Sequence, residues 1–176
     1  LRDMVANSII DGALPLRAAQ CHISLADGVL SLQNLRGTYG DSNLADVDGR
    51  YDLNSSAAGN LEVQARGDVN LAELRAQMRA GLVSKPAAKF AASIQELAGR
   101  SHIDFALKHG ANAPIEFSGK LALDNARARY EGYSLSDLKG EIAFTPKDLK
   151  GENLHGQLSG APVQIQLALK DYAGDE

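Results

Sequence analysis

Apolar and polar residues alternate most regularly between Val163 and Lys170. Val163, Ile165, Leu167 and Leu169 are apolar, Gln164, Gln166 and Lys170 are polar, and only Ala168 blurs the pattern. Successive side chains of a strand point to opposite sides, so this run predicts a strand with one apolar and one wet face. Ile142 and Phe144 mark a shorter strand of the same kind. Thr145-Pro146-Lys147-Asp148 between them reads as a turn, because Pro presets φ and Asp can bond its own backbone. Leu149 to Leu158 returns, and Ser159-Gly160-Ala161-Pro162 turns again. The segment reads as an antiparallel meander with one apolar face.

The same unit occurs earlier in the chain. Ile23 to Leu44 aligns without a gap on Ile142 to Val163. Ile23, Leu30, Asn34, Leu35 and Gly37 meet the identical residues Ile142, Leu149, Asn153, Leu154 and Gly156. The shared Asn-Leu-x-Gly lies at the same distance from the same strand, which points to an internal repeat. His22-Ile23-Ser24-Leu25 and His102-Ile103-Asp104-Phe105 echo each other as the opening strands of two halves.

The remaining chain follows this plan. Leu1 to Pro15 mixes helical spacing with β-branched residues and reads as a short helix or an entering strand. Leu16 to Leu25 reads as a strand, and Asp27-Gly28 as a hairpin turn that accepts positive φ. Val29 to Tyr39 follows, then a turn at 40–43. In Leu44 to Leu53 the apolar set slips phase between Leu44 and Val47, which predicts a bulge. After a loop over 54–60, Leu61, Val63 and Ala65 mark another strand. Later, Ile103, Phe105 and Leu107 alternate, as do Ile115 and Phe117, then Leu121 and Leu123. Asp124-Asn125 reads as a turn, with Ala126 to Tyr130 returning.

The middle changes period. Asn70 can cap a helix, with Glu73 completing a capping-box pair. Leu71, Leu74, Met78 and Leu82 share a helical face, and Gly81 is a natural stop. Lys85-Pro86 restarts the pattern, Phe90, Ile94 and Leu97 line a second helix, and Gly99 ends it. Leu71 to Ala98 is therefore expected as a helical hairpin. Its Arg75, Arg79, Lys85 and Lys89 fit a membrane surface, but the abundance of Ala favours packing on the sheet.

Composition narrows the function classes. Apolar residues are 44% of 176, enough for a core, but aromatics are 5% and Trp is absent, so that core is aliphatic. Seventeen Gly suit a turn-rich β chain. A net charge of −4 without a basic block argues against nucleic acid as a partner. The single Cys21 cannot form an internal disulfide and reads as a buried inert thiol. No apolar run reaches the roughly 18 residues of a membrane-spanning helix. The chain begins at Leu1 rather than Met, which is expected of a piece of a longer protein.

Motifs for chemistry are sparse. His22, His102, His109 and His155 show no paired spacing, so no metal site is expected. Asp41, Asp46 and Asp48 cluster near a turn, but not at calcium-loop spacing, and read as solvated carboxylates. No nucleophile elbow and no phosphate-cradling glycine loop is present. The expectation is a non-enzyme without a cofactor.

A family resemblance emerges from the residues already described. Leu121 to Ala126, then Leu135-Ser136-Asp137-Leu138-Lys139-Gly140-Glu141-Ile142-Ala143-Phe144, Leu149 to Gly156 and Gly160-Ala161-Pro162-Val163 resemble the repeat of the AsmA-like superfamily (AsmA, YhdP and TamB types) of Gram-negative envelopes. Asp27 to Leu30, Asn34-Leu35-x-Gly37 and Gly49 to Leu53 match the pattern in the first half. The resemblance spans most of the chain outside the helical insert and the first dozen residues.

The resemblance implies a mainly β fold, an antiparallel meander forming an open curled sheet or groove, taco-like; the α-helical hairpin read from the spacing is an insert that departs from the family's pattern. Residues 1–69 would be the first β repeat unit, 70–99 the insert and 100–176 the second unit of one continuous domain. It implies a periplasmic segment, anchored to the inner membrane through a segment outside this one, that moves phospholipid between the membranes and maintains the outer membrane. Partners would be phospholipid acyl chains, neighbouring repeats of the same chain and outer-membrane proteins. The expected groove residues are Ile23, Leu25, Ile103, Phe105, Ile115, Phe117, Leu121, Leu123, Ile142, Phe144, Val163, Ile165, Leu167 and Leu169. The alternative is a scaffold or partner-binding β module with a closed core, because groove and core need the same alternation. The helical insert could decide between them by covering the apolar face.

Overall fold

Strands form wherever the period-two pattern runs, and each pairs with the next in sequence. The computed structural model describes residues 4–6, 14–54, 60–80, 85–110, 113 and 115–170. The strands are β1 (Met4–Ala6), β2 (Leu16–Ala26), β3 (Val29–Tyr39), β4 (Ser42–Asp52) and β5 (Leu61–Asn70), then β6 (Ile94–His109), β7 (Glu116–Tyr130), β8 (Tyr133–Phe144), β9 (Asp148–Leu158) and β10 (Ala161–Lys170). Helices α1 (Leu71–Arg79) and α2 (Lys85–Ser93) lie between β5 and β6. The sheet order equals the sequence order, and every pairing is antiparallel. Nine long strands, β2 to β10, make a meander, and β1 adds three residues at one edge. The helical segment interrupts the sequence but not the sheet, since β5 and β6 pair without a slip from Leu61↔His109 to Asn70↔Arg100.

Three expectations about shape are corrected. The sheet is open and not strongly curled: β1 and β10 each have one neighbour, and strands pack against their sequence neighbours rather than across a groove. Alternation specifies which face is apolar, while how far a sheet rolls depends on accumulated twist and on what covers it. The helical hairpin over 70–99 is replaced by one short, well-anchored helix, α1, and a nine-residue α2 that passes at Ser93 directly into β6. Ile94 and Leu97 are thus strand residues, and Gly99 lies inside β6 at φ +111°. Pairing with β7 starts at Ile94↔Tyr130, and this tertiary contact overrides the helical spacing. Asp124-Asn125 does not turn the chain either. Strand β7 runs through it, and the reversal comes at Glu131-Gly132. The expected Gly81 stop, Leu82, the loop over 55–59, most of the segment before Pro15 and the side chain of Phe90 lie outside the described residues.

A recurrent bulge organises the strands. Ala18, Asn34, Asn125, Asp137 and Asn153 all have φ between +49° and +60°. Each is followed by a buried residue: Ala19, Leu35, Ala126, Leu138 and Leu154, all at most 9% exposed. The extra residue breaks the period of two, so apolar-face residues stand three apart at Leu32 and Leu35, Leu123 and Ala126, Leu135 and Leu138. Asn and Asp tolerate the left-handed region better than other non-glycine residues. Asn34 and Asn153, equivalent in the sequence repeat, share φ +52° and lie in the middle strands of equivalent three-stranded units. A Cβ on Gly37 would come within 2.9 Å of Arg17 O, and one on Gly156 within 2.7 Å of Ser136 O. So Asn-Leu-x-Gly has one physical meaning in both places: a bulge, a buried Leu and a close backbone crossing. The expected slip in β4 is also present, between Leu44 and Asp46.

The most buried cluster lies under α1. Leu71, 1% exposed, meets Ala126 and Leu138, with Val69, Leu74, Leu97, Leu123, Ala128, Leu135 and Ile165 around them. Asn70 caps the helix through Oδ1, which accepts from Ala72 N at 2.9 Å and Glu73 N at 3.4 Å. Glu73 does not close the expected capping box. Its carboxylate accepts from Asp41 N at 2.8 Å and Ser42 Oγ at 3.0 Å, while Asn70 N donates to Ser42 Oγ at 3.0 Å. The helix start is thereby tied to the β3–β4 turn.

Candidate functional site

Register assigns each side chain to a face, because residues paired across antiparallel strands lie on the same side. Ile103 pairs with Leu121, Leu121 with Ile142, Ile142 with Gly151 and Gly151 with Leu167. A second row runs Phe105, Gly119, Phe144, Leu149 and Leu169. Ile23 and Leu25 pair with Leu32 and Leu30, Ser101 with Leu123, Val163 with Gly156 and Ile165 with Leu154. Phe117 pairs with Leu107, and Ile115 directly precedes β7. The sheet therefore gathers the strand residues expected to line a groove onto one continuous face. Leu30, Leu32, Leu35, Tyr51, Leu61, Val63, Leu107, Leu149 and Leu154 share it as well, although none was among the expected groove residues. For Leu35 and Leu154 the signal was the preceding Asn.

Aromatic contacts mark the middle of this face. The Phe105 and Phe144 rings stack with centroids 6.4 Å apart, and Phe117 meets Phe144 at the same distance, tilted by 47°. Coverage is uneven along the strands. At the Ser101 and Ala126 end α1 lies on the face. At the other end Leu25 is 64% exposed, Leu30 41%, Leu53 54% and Ile115 51%. Ile23 is 48% exposed in the next row. Most other candidates are half-buried. Ile165 differs, since it packs with the cluster beneath α1. Cys21, expected to be buried, is half-buried in β2.

The opposite face is charged and cross-linked. Arg66 pairs with Asp104 at 3.3 Å, His102 with Asp68 at 3.2 Å, Lys108 with Glu62 at 3.4 Å, Lys120 with Glu141 at 2.7 Å and Lys139 with Asp124 at 3.5 Å. All bridge neighbouring strands and are exposed, so each contributes little to stability. The hydrogen bond that Lys120 Nζ donates to Glu141 Oε1 raises the Lys120 pKa above its ordinary value. A hollow of about 890 Å³ is on this polar side, lined by Ser24, Ser31, Asp48, Arg50, Glu62 and Gln64 among others. On the apolar side the described strands pack on their sequence neighbours rather than across the face, which leaves it an open surface beyond α1. Among the described residues no three His, Cys, Asp or Glu side chains converge on a metal position, and no helix is long and apolar enough to cross a membrane. The Asp48 carboxylate instead accepts the Asn34 amide at 2.9 Å.

No protein-family model, no curated protein and no solved structure matches the chain.

Proposed function

We propose that this chain is a periplasmic segment of an AsmA-like envelope protein, and that its apolar sheet face shelters phospholipid acyl chains in transit between the inner and outer membranes. One observation carries the reading: a sheet with ion pairs on one face leaves large aliphatic side chains exposed on the other, up to 64% at Leu25. Each methylene kept from water is worth about 0.8 kcal/mol. A sixteen-carbon chain would otherwise face a cost on the order of 12 kcal/mol. An aliphatic face relieves that cost without a polar hook, and it binds no more tightly than the bilayer, so the lipid is free to move on. The sequence resemblance supplies the compartment, the inner-membrane anchor outside this segment, the role in outer-membrane homeostasis and the outer-membrane partners. Among the described residues β10 is the last strand of the sheet, and a neighbouring repeat would extend the face from its edge. The reading is non-catalytic and needs no cofactor.

The test is photocrosslinking in the full-length protein. A photoreactive residue at position 25 or 167 is expected to capture phospholipid, and one at position 64 on the polar face is not. Equal capture from all three positions, or none from 25 and 167, removes the acyl-chain reading. A second reading, a scaffold or partner-binding module with no conduit, is favoured by α1, which already covers part of the face with Leu71. In that case the apolar positions would crosslink protein rather than lipid.

A further inference from the structure

Three features of α1 belong together. It sits on the same face that holds the exposed aliphatic residues, at the end opposite Leu25 and Leu30. Its apolar grip is narrow: Leu71 is its only buried residue, while Leu74 is half-buried beside it. Its polar grip is specific. Glu73 takes hydrogen bonds from Asp41 N and Ser42 Oγ, Arg75 Nε donates to Ile94 O at 2.6 Å, and Tyr39 Oη donates to Gln77 Oε1 at 3.4 Å.

We infer that α1 is a latched internal cover that occupies part of the acyl-binding face in place of lipid, with Glu73 as its latch. The inference rests on the acyl-chain reading above. Leu71 and Leu74 present to the sheet what a lipid tail would present, branched aliphatic carbon. Ser42, 6% exposed, stands two residues from Leu44 on the same face, so the latch closes at the margin of the patch that α1 covers. Along β5 the half-buried positions Leu61, Val63 and Ala65 span about 13 Å at 3.3 Å per residue, before the buried Gly67. One leaflet of a bilayer core is about 15 Å deep. With α1 latched, the face takes an acyl chain from the Leu25 and Leu30 end as far as the helix. With α1 displaced, the patch over Ala126 and Leu138 is added.

The experiment is a titration of wild-type protein and Glu73→Gln with cis-parinaric acid, paired with hydrogen exchange across 71–79. The inference expects faster exchange in α1 and at least threefold tighter or additional binding in Glu73→Gln. Ser42→Ala, which removes one latch hydroxyl, is expected to act in the same direction more weakly, and it answers the question if Glu73→Gln does not fold. Equal binding by wild type and a folded latch variant overturns the cover and leaves the acyl-chain reading intact. Absence of binding in both overturns the acyl-chain reading and the cover with it.

Discussion

Phe105 and Phe144 stack across an intervening strand, with ring centroids 6.4 Å apart and planes 25° apart. The residue between them in register is Gly119, paired with both. A Cβ there would fall on Phe144 Cζ and within 2.7 Å of Asp104 O. Backbone oxygen cannot swing aside as a side chain can. Gly119→Ala is therefore expected to destabilise the protein by about 1–3 kcal/mol through overpacking. Urea unfolding measures this, and a neutral result would show that the ring pair shifts freely.

The bulge residues predict a substitution pattern that helical or regular strand positions would not show. Asn153 and Asn34 hold φ +52°. Asn153→Gly should be nearly neutral, because Gly accepts that conformation readily. Asn153→Val should cost about 1–3 kcal/mol, since a β-branched residue is strained there. The same pair of substitutions at Asn34 should repeat the ordering. Thermal melts check it, and a tolerated Val at either site would break the equivalence of the two units.

Leu25 and Ile165 lie on one face but differ in what they touch. Ile165 packs with the cluster around Leu138, so Ile165→Asp should destabilise by several kcal/mol. Leu25 is 64% exposed, so Leu25→Asp should change stability by no more than about 0.5 kcal/mol. Only Leu25→Asp can therefore separate lipid handling from folding: it should leave the melting temperature in place and weaken acyl-chain binding. Unchanged binding in that folded variant counts against the apolar face as a lipid surface.

Lys120 gives a pH signature. Its pKa is raised, first by the hydrogen bond it donates to Glu141 and then by that carboxylate's charge. A raised folded-state pKa means a stabilising contribution that is fully present below the ordinary lysine pKa and lost as pH climbs through the folded value. The site is exposed, so the effect on the whole fold is small. NMR titration should find Lys120 deprotonating later in wild type than in Glu141→Gln. Identical titrations would remove the ion pair from solution.

How much was legible in the sequence follows from what each pattern encodes. Val163 to Lys170 alternates, and alternation is local geometry, so strand identity and the apolar face were readable from composition and order. The Thr145–Asp148 and Asp27-Gly28 turns were readable for the same reason, since φ preference belongs to the residue. Asp124-Asn125 was not, because a positive-φ residue serves a turn and a bulge equally well, and only pairing of Ala126 with Leu138 selects the bulge. Ile94 and Leu97 satisfied a helical period, yet they became strand once Tyr130 and Ala128 were alongside. Glu73 carried the signature of a capping box, but Ser42 and Asp41, some thirty residues away, offered it better-placed donors. Local order thus determined which residues form strands and which sides are apolar. Long-range pairing decided where bulges fall, how little the sheet rolls and where α1 lies, because those depend on partners that no local stretch of sequence contains.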